Sequence, residues 1–262
     1  MPVTLDQILT AARARAGELA GQRASLERDA ADTPAPRDFS TALLGGRVAV
    51  IAEIKRRSPS AGVINASLDP AALARIYQSG GASAVSVLTD APFFGGSLAD
   101  LREVTQAIEC PVLRKDFIVS EEQLLEARAA GAAAALLIVR ALEQPELARL
   151  TSFAGAIGLT VLVETHDATE IARALDAGAT VIGVNSRDLD TFTVDVPRAL
   201  SLLARVPSGC IAVAESGVAS RDDIARAAAA GADAVLVGSV LSGAADPGAQ
   251  LQTLTGVSRH AR

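Results

Sequence analysis

Short aliphatic runs alternate with amphipathic stretches along most of this chain. Eight runs read as strands: 48–54, 84–88, 112–114, 134–139, 160–163, 181–184, 211–214 and 234–237. Each is nearly continuous in Val, Ile, Leu and Ala, the pattern of a strand covered on both faces. Between them, apolar residues recur at helical spacing over 70–78, 98–109, 121–130, 143–153, 168–176, 197–205 and 221–230. Asp69 before Pro70, Asp195 before the segment carrying Pro197, and Ser220 before Arg221 are start signals, because their side chains can accept from a first-turn N–H. A Gly-Ala pair closes four helical stretches, at Gly81, Gly131, Gly178 and Gly231, spaced 50, 47 and 53 residues apart. Glycine suits the left-handed residue that ends a helix. Eight strand–helix units with buried strands predict an α/β fold, a closed (β/α)8 TIM barrel. An open doubly wound sheet normally carries a Gly-rich loop after its first strand, and no G-x-G-x-x-G follows this one.

Ahead of the barrel lie 47 residues that its strands do not need. The stretch from Leu5 to Arg28 mixes Leu, Ile and Ala with Arg, Glu and Gln at helical spacing. It reads as a helix that either plugs the bottom of the barrel or lies over its top. We expect a single domain over 1–262, with a helical extension at 1–47 and the barrel at 48–262.

Composition narrows the classes. The chain is half apolar with a net charge of −6, so it has the means to build a large core and little reason to be disordered. Its longest basic run is Lys55-Arg56-Arg57, a poor footprint for nucleic acid. No apolar stretch is long enough to span a bilayer and no signal-like segment opens the chain. Cys110 and Cys210 have no Cys or His nearby, which argues against a disulfide scaffold or a zinc site. A cytoplasmic protein without membrane or nucleic-acid partners is expected.

The chemistry gathers where such a barrel keeps it, at the C-terminal strand ends. Arginine numbers 22, whereas lysine occurs only as Lys55 and Lys115, and both lysines fall at such ends. A buried lysine can exchange its proton and arginine cannot. Glu53 and Lys55 are two apart and share one side of their strand, where an inward pair must be matched or used. Glu164 and Asn185 end neighbouring strands and face the same cavity, and an enclosed glutamate suits general acid–base work. Ser216-Gly217 and Gly238-Ser239 follow the last two strands, where barrels often hold a phosphate on backbone N–H groups. Residues 239–242 are long enough for the accompanying short helix. Phe93 and Phe117 offer an apolar wall for a planar group. The loop 56–68, with Ser58, Pro59, Ser60 and Gly62, reads as a cover over the mouth. His166 suits a structural or loop role better than zinc, His260 a solvated tail, and Arg140 either the mouth or an ion pair.

These residues fall in blocks that resemble the indole-3-glycerol phosphate synthase family. The blocks are Ile51-Ala52-Glu53-Ile54-Lys55-Arg56 with Ser58-Pro59-Ser60, Leu88-Thr89-Asp90 with Phe93-Phe94-Gly95-Gly96-Ser97, and Leu113-Arg114-Lys115-Asp116-Phe117-Ile118. Val163-Glu164-Thr165-His166, Gly183-Val184-Asn185 with Arg187-Asp188-Leu189, Glu215-Ser216-Gly217 and Val237-Gly238-Ser239 complete the set. Arg57, Ala61 and Ser186 depart from the family's commoner residues without removing a reactive group.

The resemblance implies ring closure of 1-(2-carboxyphenylamino)-1-deoxyribulose 5-phosphate to indole-3-glycerol phosphate, CO2 and water, in tryptophan biosynthesis, with no cofactor and no metal. It implies Lys115 as general acid, Glu164 as base, Lys55 as the acid for dehydration, Glu53 as its partner and Asn185 as a hydrogen-bonding group. The two lysines could divide the acid roles differently. By the same resemblance, Ser58 and Arg187 position the carboxylate or ribulose end, and Glu215 contacts a hydroxyl. Phe93 and Phe117 then form the aromatic pocket, and Ser216, Gly217, Gly238 and Ser239 the phosphate cradle. A phosphoribosylanthranilate isomerase-like enzyme of the same barrel class is the alternative. A silent phosphate-ligand binder is a more distant one. With its own capping helix, the chain is expected to be a monomer.

Overall fold

The computed structural model describes residues 4–59, 62–260 and 262; Ser60 and Ala61 lie outside the described residues. Eight parallel strands close on themselves in chain order. They are β1 (Ala49–Ile54), β2 (Ala84–Leu88), β3 (Val112–Lys115), β4 (Ala134–Ile138), β5 (Thr160–Thr165), β6 (Val181–Asn185), β7 (Ile211–Glu215) and β8 (Ala234–Val237). β8 returns to β1 with Ala49 opposite Ala234 and Ala52 opposite Val237. Helices cover the outside, so every strand except for one residue of β3 and one of β5 is buried throughout. This is the (β/α)8 barrel that the unbroken aliphatic runs require, since parallel strands need a covered face on each side.

Four strands run further than their apolar runs do. The ladder continues through Lys115 on β3, through Glu164 and Thr165 on β5, through Asn185 on β6, and through Glu215 on β7. Ladder hydrogen bonds use only the backbone, so a strand can accept a charged residue at its end when the side chain points into a polar cavity. β1 instead begins one residue late: the N–H of Val48 donates to Val257 O, outside the barrel ladder.

Between the strands lie α4 (Pro70–Ser79), α6 (Leu98–Ala107), α7 (Glu121–Ala129), α8 (Gln144–Ala156), α9 (Ala168–Asp176), α10 (Val196–Leu203) and α11 (Arg221–Ala229). Asp69, Ser97, Ser120, Asp167, Asp195 and Ser220 each accept a first-turn N–H from their helices. Two short helices, α5 (Ala91–Phe94) and α12 (Ser239–Ser242), sit above the strand ends. α13 (Pro247–Leu254) supplies the eighth outer helix, which the sequence pattern did not reveal. It is capped by Asp246 and buries Leu251 and Leu254.

The extension divides both expectations between its ends. α1 (Leu5–Leu19), opened by a capping box between Thr4 and Gln7, brings Leu5 and Ile8 to the cavity at the top of the barrel. α2 (Arg23–Asp32) then packs against α7, where Leu19, Leu26, Ala30 and Leu125 form a small apolar cluster. Arg23 reaches Glu121 and Glu122 at 2.7 and 3.0 Å, and Arg15 reaches Glu126 at 2.6 Å. α3 (Phe39–Ala42) follows, with Phe39 and Leu43 fully buried. The chain from 42 to 50 then lines the opposite end of the barrel together with Ser83, Thr255 and Gly256.

Candidate active site

The C-terminal ends of the strands surround a cavity of about 320 Å³. Its floor is made by inward residues of the strands, including Leu88, Leu136, Ile138 and Leu236. Above that apolar floor, the same strand faces carry Glu53, Lys115, Glu164, Asn185 and Glu215, because inward positions recur every second residue.

On β1, Glu53 is buried, and its Oε1 receives a 2.7 Å hydrogen bond from the Lys55 ammonium. The two are on one side of the strand, as their spacing requires. Gly238 makes room for them: a Cβ there would overlap Glu53 Oε1 and lie 3.1 Å from Lys55 Nζ. Across the barrel, the Lys115 ammonium donates to Glu164 Oε2 at 3.2 Å and lies 3.5 Å from Glu215 Oε2. Gly183 has a matching role on β6, since a Cβ there would overlap the Glu215 carboxylate.

Charge is distributed unequally in this group. Burial alone would lower the pKa of Lys115, but Glu164, Glu215 and Glu53 outweigh it and hold the group well above the ordinary lysine value, as an ammonium. Burial also opposes ionisation of Glu164, yet Lys115, His166 and Asn185 keep its pKa below the usual carboxylate value. Glu215 is pushed up to about 8, first by burial and then by the charge of Glu164, with Lys115 opposing. Two carboxylates facing one ammonium in a dry pocket do not both ionise cheaply. At neutral pH the set is therefore Lys115 charged, Glu164 charged and Glu215 protonated.

The rim carries the remaining candidates. Arg187 donates its backbone N–H to Asn185 Oδ1 at 2.9 Å and its Nη1 to Phe192 O at 2.9 Å. Ser58 lies in a short antiparallel pair, Arg57–Ser58 against Gly62–Val63, that stands over the mouth. Arg56 anchors that segment on Asp100 through contacts of 2.5 and 3.0 Å. Ser216 and Gly217 both adopt positive φ, +62° and +71°. They lie on the cavity wall with Gly238 and Ser239, the latter opening α12. A helix start leaves N–H groups without intrahelical partners, and here they meet the cavity.

The aromatic wall is made by Phe94 and Phe117, whose ring centroids are 6.1 Å apart. Phe93 does not line the cavity. Asp90 accepts from the N–H groups of both Phe93 and Phe94 and winds them into α5, and one helical step turns adjacent side chains to different faces. The carbonyl of Phe93 accepts from Arg57 Nε at 3.0 Å. Leu5, Ile8, Leu189 and Phe192 also line the cavity and were missed from sequence. Only the i, i+3 apolar spacing of Leu5 and Ile8 hinted at them. Among the described residues no group of three or more His, Cys, Asp or Glu side chains is placed to hold a metal ion. No helix there is long and apolar enough to cross a membrane.

A family model described as indole-3-glycerol phosphate synthase matches residues 5–254. The chain belongs to the indole-3-glycerol phosphate synthase family. It is 51% identical over 249 residues to the indole-3-glycerol phosphate synthase of Parafrankia sp. (strain EAN1pec), covering 93% of this chain and 91% of that one. To the Streptomyces griseus subsp. griseus synthase it is 48% identical over 261 residues, covering 98% and 96%. The chain is an enzyme, a carboxy-lyase, of this family. Its reaction closes the indole ring of 1-(2-carboxyphenylamino)-1-deoxyribulose 5-phosphate, releases CO2 and water, and yields indole-3-glycerol phosphate for tryptophan synthesis. Among solved structures, a mandelate oxidase variant (TM-score 0.58, 20% identity, covering 79% of this chain and 70% of that one) shares the barrel. So does a thiamine phosphate pyrophosphorylase from Pyrococcus furiosus (TM-score 0.58, 17% identity, 79% and 93%). At such identities the likeness concerns the fold alone.

Proposed function

We propose that the synthase reaction is run by two ion pairs on opposite sides of the cavity. Lys115 is the general acid for ring closure: its ammonium donates to the C2 carbonyl oxygen while the aromatic carbon bearing the carboxylate attacks C2. Without that donor the developing alkoxide would have no stabilising partner. Loss of CO2 restores the six-membered ring. Lys55, oriented by its 2.7 Å contact with Glu53, then protonates the departing hydroxyl, and Glu164 removes the proton that completes the indole. Asn185, Ser58 and Arg187 fix the polar chain and the carboxylate, and Glu215 contacts a substrate hydroxyl. Phe117 flanks the aromatic ring with Phe94; Phe93 acts through the backbone of α5.

The phosphate rests on backbone N–H groups of Ser216, Gly217, Gly238 and Ser239, at the start of α12. Residues 1–47 and the barrel work as one domain, in a cytoplasmic monomer. Holding a flexible substrate folded over its own carbonyl contributes as much as proton transfer does, since orientation recovers roughly 7–11 kcal/mol in well-aligned intramolecular reactions.

The observation that carries this reading is the Lys115 ammonium set between Glu164 and Glu215 at 3.2 and 3.5 Å. Lys115→Ala should lower kcat by a factor of about 10²–10⁴ while substrate binding, read by titration calorimetry, weakens far less. A Lys115→Ala enzyme with normal turnover would remove the general-acid assignment.

A further inference from the structure

The proton that Glu164 takes must leave a wholly buried carboxylate, and the side chain two residues on is placed to receive it. His166 is 5% exposed, and its Nε2 lies 3.5 Å from Glu164 Oε1. Neither atom has a hydrogen-bond partner, although both are buried. Two buried polar atoms that face each other at the limit of hydrogen-bonding distance, neither with another partner, are placed to share one proton. The far side of the ring fixes the tautomer. Glu170 Oε2 accepts the backbone N–H of His166 at 2.7 Å and lies 3.0 Å from its Nδ1, while Glu170 Oε1 receives Arg140 Nε at 3.1 Å. These bonds outweigh burial and keep Glu170 ionised. An ionised carboxylate only accepts, so Nδ1 keeps its hydrogen. Nε2 is left as the one nitrogen that gains and loses a proton.

We infer that His166 is a positioning residue that shares the proton of Glu164, making the base a carboxylate–imidazole pair anchored by Glu170. This rests on the assignment of Glu164 as base. The bookkeeping is one proton in and one out. Glu164 Oε1 gains the proton as the substrate C–H bond breaks, while Oε2 keeps its hydrogen bond from Lys115. The O–H bond at Oε1 then breaks as an N–H bond forms at Nε2, and Glu164 is again a carboxylate beside Lys115. The imidazolium is stabilised by Glu170 on one side and Glu164 on the other.

An outlet lies beside it. A second cavity of about 190 Å³ is lined by His166, Ser186, Thr193, Asp195 and Arg198, among others. Thr193, Asp195 and Arg198 are exposed, so that cavity opens to solvent. The buried Ser186 Oγ on its wall has no partner. The charged groups around the imidazole are thus Glu164 from β5, Glu170 from α9 with Arg140 behind it, and Asp188, Asp195 and Arg198 across the cavity.

The chain contains only two histidines, so imidazole resonances of the intact enzyme report His166 directly, with His260 as the internal control. Glu164→Gln should move the His166 titration midpoint about one pH unit or more lower and leave His260 where it was. An unchanged His166 midpoint overturns the pairing. In turnover, His166→Gln should lower kcat about tenfold or more, with KM nearly unchanged and the acid limb of the kcat profile displaced. Wild-type kcat and an unmoved profile in that variant would also overturn it. Should His166→Gln fail to fold, the titration in the two Glu164 forms still decides. Full-rate turnover by Glu164→Gln would instead defeat the assignment of Glu164 as base, whatever the imidazole does.

Discussion

A buried ammonium and the loss of water around it split the protonation of two neighbouring carboxylates. Lys115 keeps Glu164 ionised, while burial and the charge of Glu164 leave Glu215 with its proton at neutral pH against the pull of Lys115. Chemically similar side chains, a few ångströms apart, thereby acquire different duties, the division that lets one cavity supply both acid and base. Glu164→Gln preserves size and hydrogen-bonding capacity but cannot take up a proton. It should reduce kcat by a factor of about 10²–10⁴ and retain the far-UV circular dichroism of the parent. Full-rate turnover by the Gln variant would place the base elsewhere.

At the scale of elements, the strand ends hold their charged residues because neighbouring positions stay small. Gly183 on β6 lies beside the Glu215 carboxylate, and a Cβ there would also come within 3.3 Å of Leu162. Gly183→Ala should therefore cost about 1–3 kcal/mol in urea unfolding and lower kcat as well, because the displaced carboxylate belongs to the reactive cluster. A variant as stable and active as the parent would show that Glu215 has room to move. α1 makes the complementary contribution from above. Ile8 is buried and lines the cavity, yet its helix is tied down by a separate contact of Arg15 to Glu126 on α7. Ile8→Ser should raise KM several-fold and lower the melting temperature by a few degrees, as the loss of a buried aliphatic side chain requires; an unaltered KM would make α1 a mere scaffold.

For the whole molecule, the reactive cavity gives stability a dependence on pH. The Glu215 pKa in the folded state, about 8, lies above the ordinary 4.5. Its protonated form therefore favours the native state fully below about pH 4.5, and that contribution is lost as pH rises through about 8. Urea midpoints should fall between pH 5.5 and 8.5 in the parent and fall less in Glu215→Gln, which carries no titrating group. Ionisation of Glu215 also adds negative charge beside a substrate that carries a carboxylate and a phosphate. KM should rise above about pH 8, and a flat KM up to pH 9 would argue against protonated Glu215 in the resting enzyme.

Much of this was legible in the residues alone. Unbroken aliphatic runs state that both faces of a strand are covered, and eight of them with helices between leave few arrangements other than a barrel. The restriction of lysine to two positions, with Glu53 and Lys55 in step along one strand, marks the strand ends as chemical. Periodicity could not say which way α5 turns Phe93 and Phe94, because a four-residue helix is too short to leave a pattern. Nor could it place the two ends of residues 1–47, where α1 reaches the top of the barrel and α3 the bottom. The sharing of charge among Lys115, Glu164 and Glu215, and the facing of His166 toward Glu164, belong to the tertiary structure alone. Those properties depend on distances between residues far apart in the chain and on the removal of water from around them. Sequence fixes which groups are present; closure of the barrel sets their separations and the medium between them.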